Sequence, residues 1–176
     1  ECKNITESLQ KIGHNISYII EKSRESMKLW CKDIVNEKSI FVLGKDDCYA
    51  LSREAALKIK EISYIHAESS PASALKHGPF GLLEKNFPVI LIDIGEKNRL
   101  KMINVYNEVK CRGAKIYTVT DDINCKRENT FIIDTNSKLN NVLSIIPLQF
   151  LSFYLSITNK INPDYPRNLA KVVTVR

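Results

Sequence analysis

The sequence predicts a three-layer α/β sandwich, a parallel sheet flanked by helices, with an extended C-terminal tail. Short apolar runs, SIFVLG at 39–44, PVILIDI at 88–94 and AKIYTVT at 114–120, alternate with stretches whose apolar residues recur at helical spacing. These runs are apolar on both faces, which is how a strand reads when helices cover both sides of its sheet. The chain has 176 residues, of which 44% are hydrophobic and 26% charged, enough for a single core of ordinary size.

The elements follow in order. Leu9, Ile12, Ile16, Ile19 and Ile20, continued by Met27, Trp30 and Ile34, predict one long or two short helices over about residues 5–36. SIFVLG is a buried strand closed by glycine, and residues 50–62 form the helix after it. Behind the strand at 88–94, Leu100, Ile103, Tyr106 and Val109 predict a helix, with Gly113 where its C-terminus needs one. The strand at 114–120 and a short one, TFIID at 130–134, come next. Val142, Ile145, Ile146, Phe150 and Phe153 mark an apolar helix running to about residue 159, in which Pro147 predicts a kink or a late start. From Ile161 the chain carries two prolines and is expected to run extended over the surface. The units are therefore a helical segment at 1–36 packing on the domain, the domain itself at 37–160, and a tail at 161–176.

Composition narrows the function. A net charge of +6 without any dense basic run suits a small anionic substrate better than nucleic acid. The five cysteines are odd in number and no two are spaced as metal ligands, so reduced thiols of a cytosolic protein are expected, with no metal. No apolar run reaches the roughly 18 residues of a membrane span. Neither a Gly-x-Gly-x-x-Gly nor a Walker motif is present, so no dinucleotide or nucleotide cofactor is implied. The chain opens Glu1-Cys2 and is expected to be a piece of something longer.

The titratable groups are concentrated in one stretch. Glu54, Lys58 and Glu61 fall at i, i+4 and i+7 on the helix after the first strand and share a face. That pattern reads two ways: as a solvated face with weak ion pairs, or as a general base, Glu61, whose charge state Lys58 sets. His66 and His77 follow; His77 precedes Gly78-Pro79, a turn that would hold it on a loop. Lys171 sits among Leu169, Ala170, Val172 and Val173, and a partly buried lysine can attack a carbonyl as the free amine.

Three motifs, ALKIKEISYIHAE (56–68), LKHGP (75–79) and YPRNLAKVVTVR (165–176), together resemble the C-terminal part of glucosamine-6-phosphate synthase, the isomerising glutamine–fructose-6-phosphate aminotransferase family. The resemblance runs from about Ile34 to the end of the chain. It implies the second of two sugar isomerase (SIS) domains, Rossmann-like in fold, in a protein that also has an N-terminal glutaminase domain and works as a homodimer. Such enzymes convert fructose 6-phosphate and glutamine to glucosamine 6-phosphate and glutamate, on the way to UDP-N-acetylglucosamine. They need neither metal nor organic cofactor.

The same resemblance assigns roles. Glu61 would move a proton between the first and second sugar carbons, with Lys58 positioning or tuning it. His77 would assist ring opening in the neighbouring subunit's site, and Lys171 would form a Schiff base with the open-chain ketose. The sequence departs from the family at Ala55, Ala74, Val172 and Arg176, none of which is a proposed catalytic group. The family's phosphate-binding Ser/Thr loop lies in the first SIS domain, and the matching turn here reads GKDDCYALS. The chain alone is therefore expected to be inactive. A stand-alone sugar-phosphate isomerase and a non-catalytic sugar-phosphate-binding module are the alternative functions.

Overall fold

The computed structural model describes residues 2–135 and 137–169, the first three by backbone alone; Lys171, Val172 and Arg176 lie outside the described residues. Two helices come first, α1 (Cys2–Gln10) and α2 (Ile12–Ile34). Strands and helices then alternate: β1 (Ser39–Gly44), α3 (Asp47–Ser63), β2 (His66–Pro71), β3 (Pro88–Asp93), α4 (Arg99–Lys110), β4 (Lys115–Thr120) and β5 (Thr130–Ile132). Two short helices of the 3-10 type, Ala72–His77 and Pro79–Leu82, lie in the β2–β3 connection. The last elements are α5 (Asn140–Leu143) and α6 (Ile145–Thr158).

All strands pair in parallel, in the order β2-β1-β3-β4-β5. Successive side chains on a strand point to opposite faces, and both faces are apolar here. From β1, Ile40 and Val42 face one core with α2, α3 and α6, where Met27, Trp30, Ile59, Leu148 and Leu155 are buried. Phe41 and Leu43 face a second core with Met102, Val105 and Val109 of α4 and with Ala72 and Leu75 of the first 3-10 helix. The result is the predicted three-layer sandwich. Each fully buried aliphatic or aromatic side chain contributes about 1.5–3 kcal/mol of transfer free energy, so the two cores outweigh any surface ion pair described below.

The backbone is drawn close where β1 hands over to α3. A Cβ on Gly44 would stand 2.0 Å from the carbonyl oxygen of Cys48, so only glycine lets the first turn of α3 approach the strand this closely. Tyr117 is fully buried; its ring tilts against Trp30 at 5.1 Å, and its hydroxyl donates to Asp33 at 3.3 Å. Burial, with the Asp33 carboxylate beside it, pushes that phenol well above its ordinary range. Cys31, Cys48, Cys111 and Cys125 are free thiols.

Four details differ from the sequence reading. Residues 66–71, which have no apolar run, form β2; as an edge strand it buries Ala67 and Ser70 while His66 and Glu68 stay exposed. On α4 the buried stripe is Met102, Val105 and Val109, and Leu100 is 78% exposed, because the helix is rotated by about one residue from the predicted phase. The apolar stretch from residue 140 is split at Ser144 into α5 and α6; the late start that Pro147 implied is met, with Pro147 in the first turn of α6, where its missing N–H costs nothing. Finally, Asn140–Thr158 is long and apolar enough to cross a membrane by length and composition, although no uninterrupted apolar run of that size exists. In this fold it packs between α2 and α3, and Leu148, Leu151 and Leu155 are fully buried there.

Candidate functional site

Helix α3 must return the chain from the carboxyl end of β1 to the amino end of β2, since the two strands are parallel. Its late residues therefore lie at the amino ends of the strands. Ligands of parallel sheets usually sit at the opposite, carboxyl ends. Lys58 and Glu61 are in that last part of α3. The Lys58 ammonium donates to Glu61 Oε2 at 2.7 Å, with Glu54 Oε1 at 3.7 Å. The side chains of Lys58 and Glu61 are 34% and 27% exposed, half-sheltered yet open to a reactant. The hydrogen bond to Glu61 holds the Lys58 ammonium above its ordinary pKa, against a smaller opposing effect of burial.

The tail comes to the same end of the molecule. Helix α6 runs back along the sheet, and the chain leaving it turns at Asn162 to bring Arg167 against Tyr64. The Arg167 backbone N–H donates to the Tyr64 hydroxyl at 2.7 Å, and its guanidinium lies 4.1 Å from the centre of the Tyr64 ring. Tyr64 is the residue just past α3, three after Glu61, and holds a left-handed backbone at φ 62°. Lys171, four residues beyond Arg167 in sequence, lies outside the described residues.

His77 is elsewhere. It is the last residue of the Ala72–His77 helix, exposed, and Gly78 behind it takes φ 148° and ψ −58°, open to glycine and strained for other residues. That short helix packs on the sheet face opposite α3. No hydrogen bond or ion pair joins His77 to Lys58 or Glu61 among the described residues, and the sheet layer lies between them. His66 sits at the amino end of β2, where its Nδ1 meets Ser39 Oγ at 3.1 Å across the strand pair.

The carboxyl ends of the strands carry a different cluster, which no motif marked. Arg99 donates to the Asp93 carbonyl at 2.9 Å, to Thr120 Oγ1 at 2.6 Å and to Asp121 Oδ1 at 2.6 Å. Asp121 also accepts the Gly95 N–H at 3.0 Å. Asp93 is 3% exposed, with Arg99 and Arg127 at 3.4 and 3.6 Å from Oδ2. Burial raises its pKa despite the two cations. A strand as apolar as PVILID ending in aspartate is the signal that could have found this group. The cleft above it measures about 1230 Å³ and sets Glu96, Asp121, Asp122 and Asp134 beside Arg99 and Lys138. At the start of α3, Asp46 and Asp47 present carboxylates where a phosphate-binding helix presents free N–H groups, and Asn98 and Lys97 hold Asp46 at 2.9 and 3.5 Å. The start of α3 is therefore unsuited to a phosphate. Among the described residues no group of His, Cys, Asp and Glu is arranged to hold a metal ion.

The family model for the SIS domain matches residues 33–159. The chain belongs to the SIS domain family. This SIS domain is 44% identical to a glutamine–fructose-6-phosphate aminotransferase (isomerising) of Sulfurisphaera tokodaii over 82% of its own length and 24% of the relative. It is 35% identical to the enzyme of the same name from Caldanaerobacter subterraneus over 97% of its length and 29% of the relative. The chain thus spans under a third of the length of these curated relatives. Among solved structures, the C-terminal domain of glucosamine-fructose-6-phosphate aminotransferase from Francisella tularensis superposes with a TM-score of 0.84 at 29% identity, covering 92% of this chain and 46% of that one. A glucosamine-6-phosphate deaminase from Thermotoga maritima gives 0.70 at 23% identity, over 90% of this chain and 46% of that one; it shares the fold.

Proposed function

We propose that this SIS domain is the C-terminal isomerase part of a glutamine–fructose-6-phosphate aminotransferase, a cytoplasmic enzyme making glucosamine 6-phosphate. One observation carries the reading: the Lys58–Glu61 pair and the incoming tail meet at the same end of α3, with Arg167 held by Tyr64, three residues past Glu61. The tail's Lys171 is the amine that attacks the ketone carbon of open-chain fructose 6-phosphate, losing water to form the imine. Ammonia released from glutamine in a separate glutaminase domain replaces the lysine on that carbon. Glu61 then takes a proton from the first sugar carbon and returns it to the second, while the hydroxyl proton of the first carbon passes to the imine nitrogen, leaving an aldehyde at the first and an amine at the second. The Lys58 ammonium orients the carboxylate and keeps it ionised before the first transfer and after the second.

Two parts of the reaction fall to other chains or domains. Phosphate is anchored by the first SIS domain, because the matching turn here is closed by Asp46 and Asp47. That same feature weighs against a stand-alone sugar-phosphate isomerase. Ring opening is assisted by His77 of a second copy, since this copy's His77 lies across the sheet from its own Glu61. The test is borohydride trapping with fructose 6-phosphate, followed by peptide mass spectrometry, on the chain and on the full-length enzyme. An adduct at Lys171 in the full-length enzyme, lost or much reduced in the chain alone, is the expected result. No adduct in either removes the Schiff-base role.

A further inference from the structure

Tyr64 stands out as a residue whose conformation is costly and whose hydroxyl and ring both engage Arg167 of the tail. A tyrosine at φ 62° adopts a backbone that side chains other than glycine and asparagine avoid, at a cost that persists only when something holds it. Two separate contacts engage Arg167: the hydroxyl accepts the Arg167 backbone N–H at 2.7 Å, and the ring receives the guanidinium at 4.1 Å. A hydrogen bond to a main-chain group fixes the position of the chain along its own direction, and a stacked cation fixes its side. Both contacts fall on a segment with little else to hold it, since Tyr165 is 83% and Leu169 53% exposed.

We infer that Tyr64 is a positioning residue that sets the register of the C-terminal tail against the end of α3. Its placement past the last turn of α3 ties that register to the helix carrying Lys58 and Glu61. This inference rests on the proposed function for its purpose, because only there must Lys171 arrive beside Glu61. The docking itself does not depend on that reading.

The test compares the wild-type chain with Tyr64→Phe, which keeps the ring and loses the acceptor, and Tyr64→Asn, which loses both and suits the left-handed backbone. Hydrogen exchange is read at the Arg167 amide and melting temperature on the same samples. The Arg167 amide is expected to be protected in the wild type and to exchange about three- to tenfold faster in Tyr64→Phe, and faster again in Tyr64→Asn. Tyr64→Asn is expected to melt no lower than the wild type, which separates tail positioning from a general structural role. An Arg167 amide that exchanges freely in the wild type, or stays protected in Tyr64→Asn, overturns the inference. So does a melting temperature that falls in step with the lost protection. In the full-length enzyme, trapping of fructose 6-phosphate at Lys171 is expected to slow about tenfold in Tyr64→Asn, as reacting groups lose alignment. If the wild-type enzyme gives no Lys171 adduct while the Arg167 amide still responds to Tyr64, the docking stands and the Schiff-base reading falls.

Discussion

The Lys58–Glu61 pair illustrates how little an exposed ion pair does for stability and how much it can do for chemistry. Both groups are about one-third exposed, and such a helical pair contributes about 0.2–0.5 kcal/mol. Glu61→Gln is therefore expected to leave the melting temperature almost unchanged. In the full-length enzyme it should lower turnover by about a hundredfold or more while Lys171 still traps the ketose, because the imine forms before the proton moves. Loss of trapping along with turnover would mean that Glu61 shapes the site rather than moving the proton. Asp93 is the opposite case, a buried carboxyl used for structure. Its pKa is raised, so its protonated form favours the fold: that contribution is complete below the ordinary carboxylate value of about 3.9 and is lost as pH rises through the raised one. Asp93→Asn should gain stability relative to the wild type as pH rises from about 4 to 7 in melting experiments. A gap between the two that closes in the other direction would mean the two arginines outweigh burial. That Glu54, Lys58 and Glu61 share a face of α3 was legible from spacing, while their assignment to catalysis came only from the resemblance; Asp93 was passed over because its one signal, an aspartate closing an apolar strand, has no period to reinforce it.

At the scale of elements, the approach of α3 to β1 is the join on which the site depends. The Gly44→Ala side chain would collide with the Cys48 carbonyl, and a backbone atom cannot swing aside as a side chain can. That substitution should cost about 3 kcal/mol or more, read by denaturant unfolding, and should unseat the helix that carries Lys58 and Glu61. A cost below about 1 kcal/mol would show that the helix can shift without loss. Strands β1, β3 and β4 were legible because burial on both faces leaves a continuous apolar run. β2 was not, since HAESSP has no apolar run and buries only Ala67 on one face and Ser70 on the other. The phase of α4 was missed for a related reason. Leu100 is as apolar as Met102, and only the fold decides which of them meets Phe41 and Leu91.

At the scale of the whole molecule, the layers divide the proposed catalytic groups. Lys58, Glu61 and the tail occupy the α3 side at the amino ends of the strands, and His77 occupies the other side. Motif spacing cannot express that separation, since LKHGP follows the Glu61 motif closely in sequence while a layer of sheet comes between them in space. At the carboxyl end, where parallel sheets usually bind, Asp46 and Asp47 stand at the start of α3 and the neighbouring cleft mixes carboxylates with Arg99 and Lys138. The division makes sense if each site takes Glu61 from one subunit and His77 from the other, and that is the central claim. It is tested most directly by mixing the full-length Glu61→Gln and His77→Ala enzymes under conditions of subunit exchange and measuring glucosamine 6-phosphate. Each variant alone should be nearly inactive. In the mixed dimer one site receives both substitutions and the other receives neither, so the equimolar mixture should recover about a quarter of wild-type activity. A mixture no more active than its components would contradict the account, since it would place both residues in the same subunit's site.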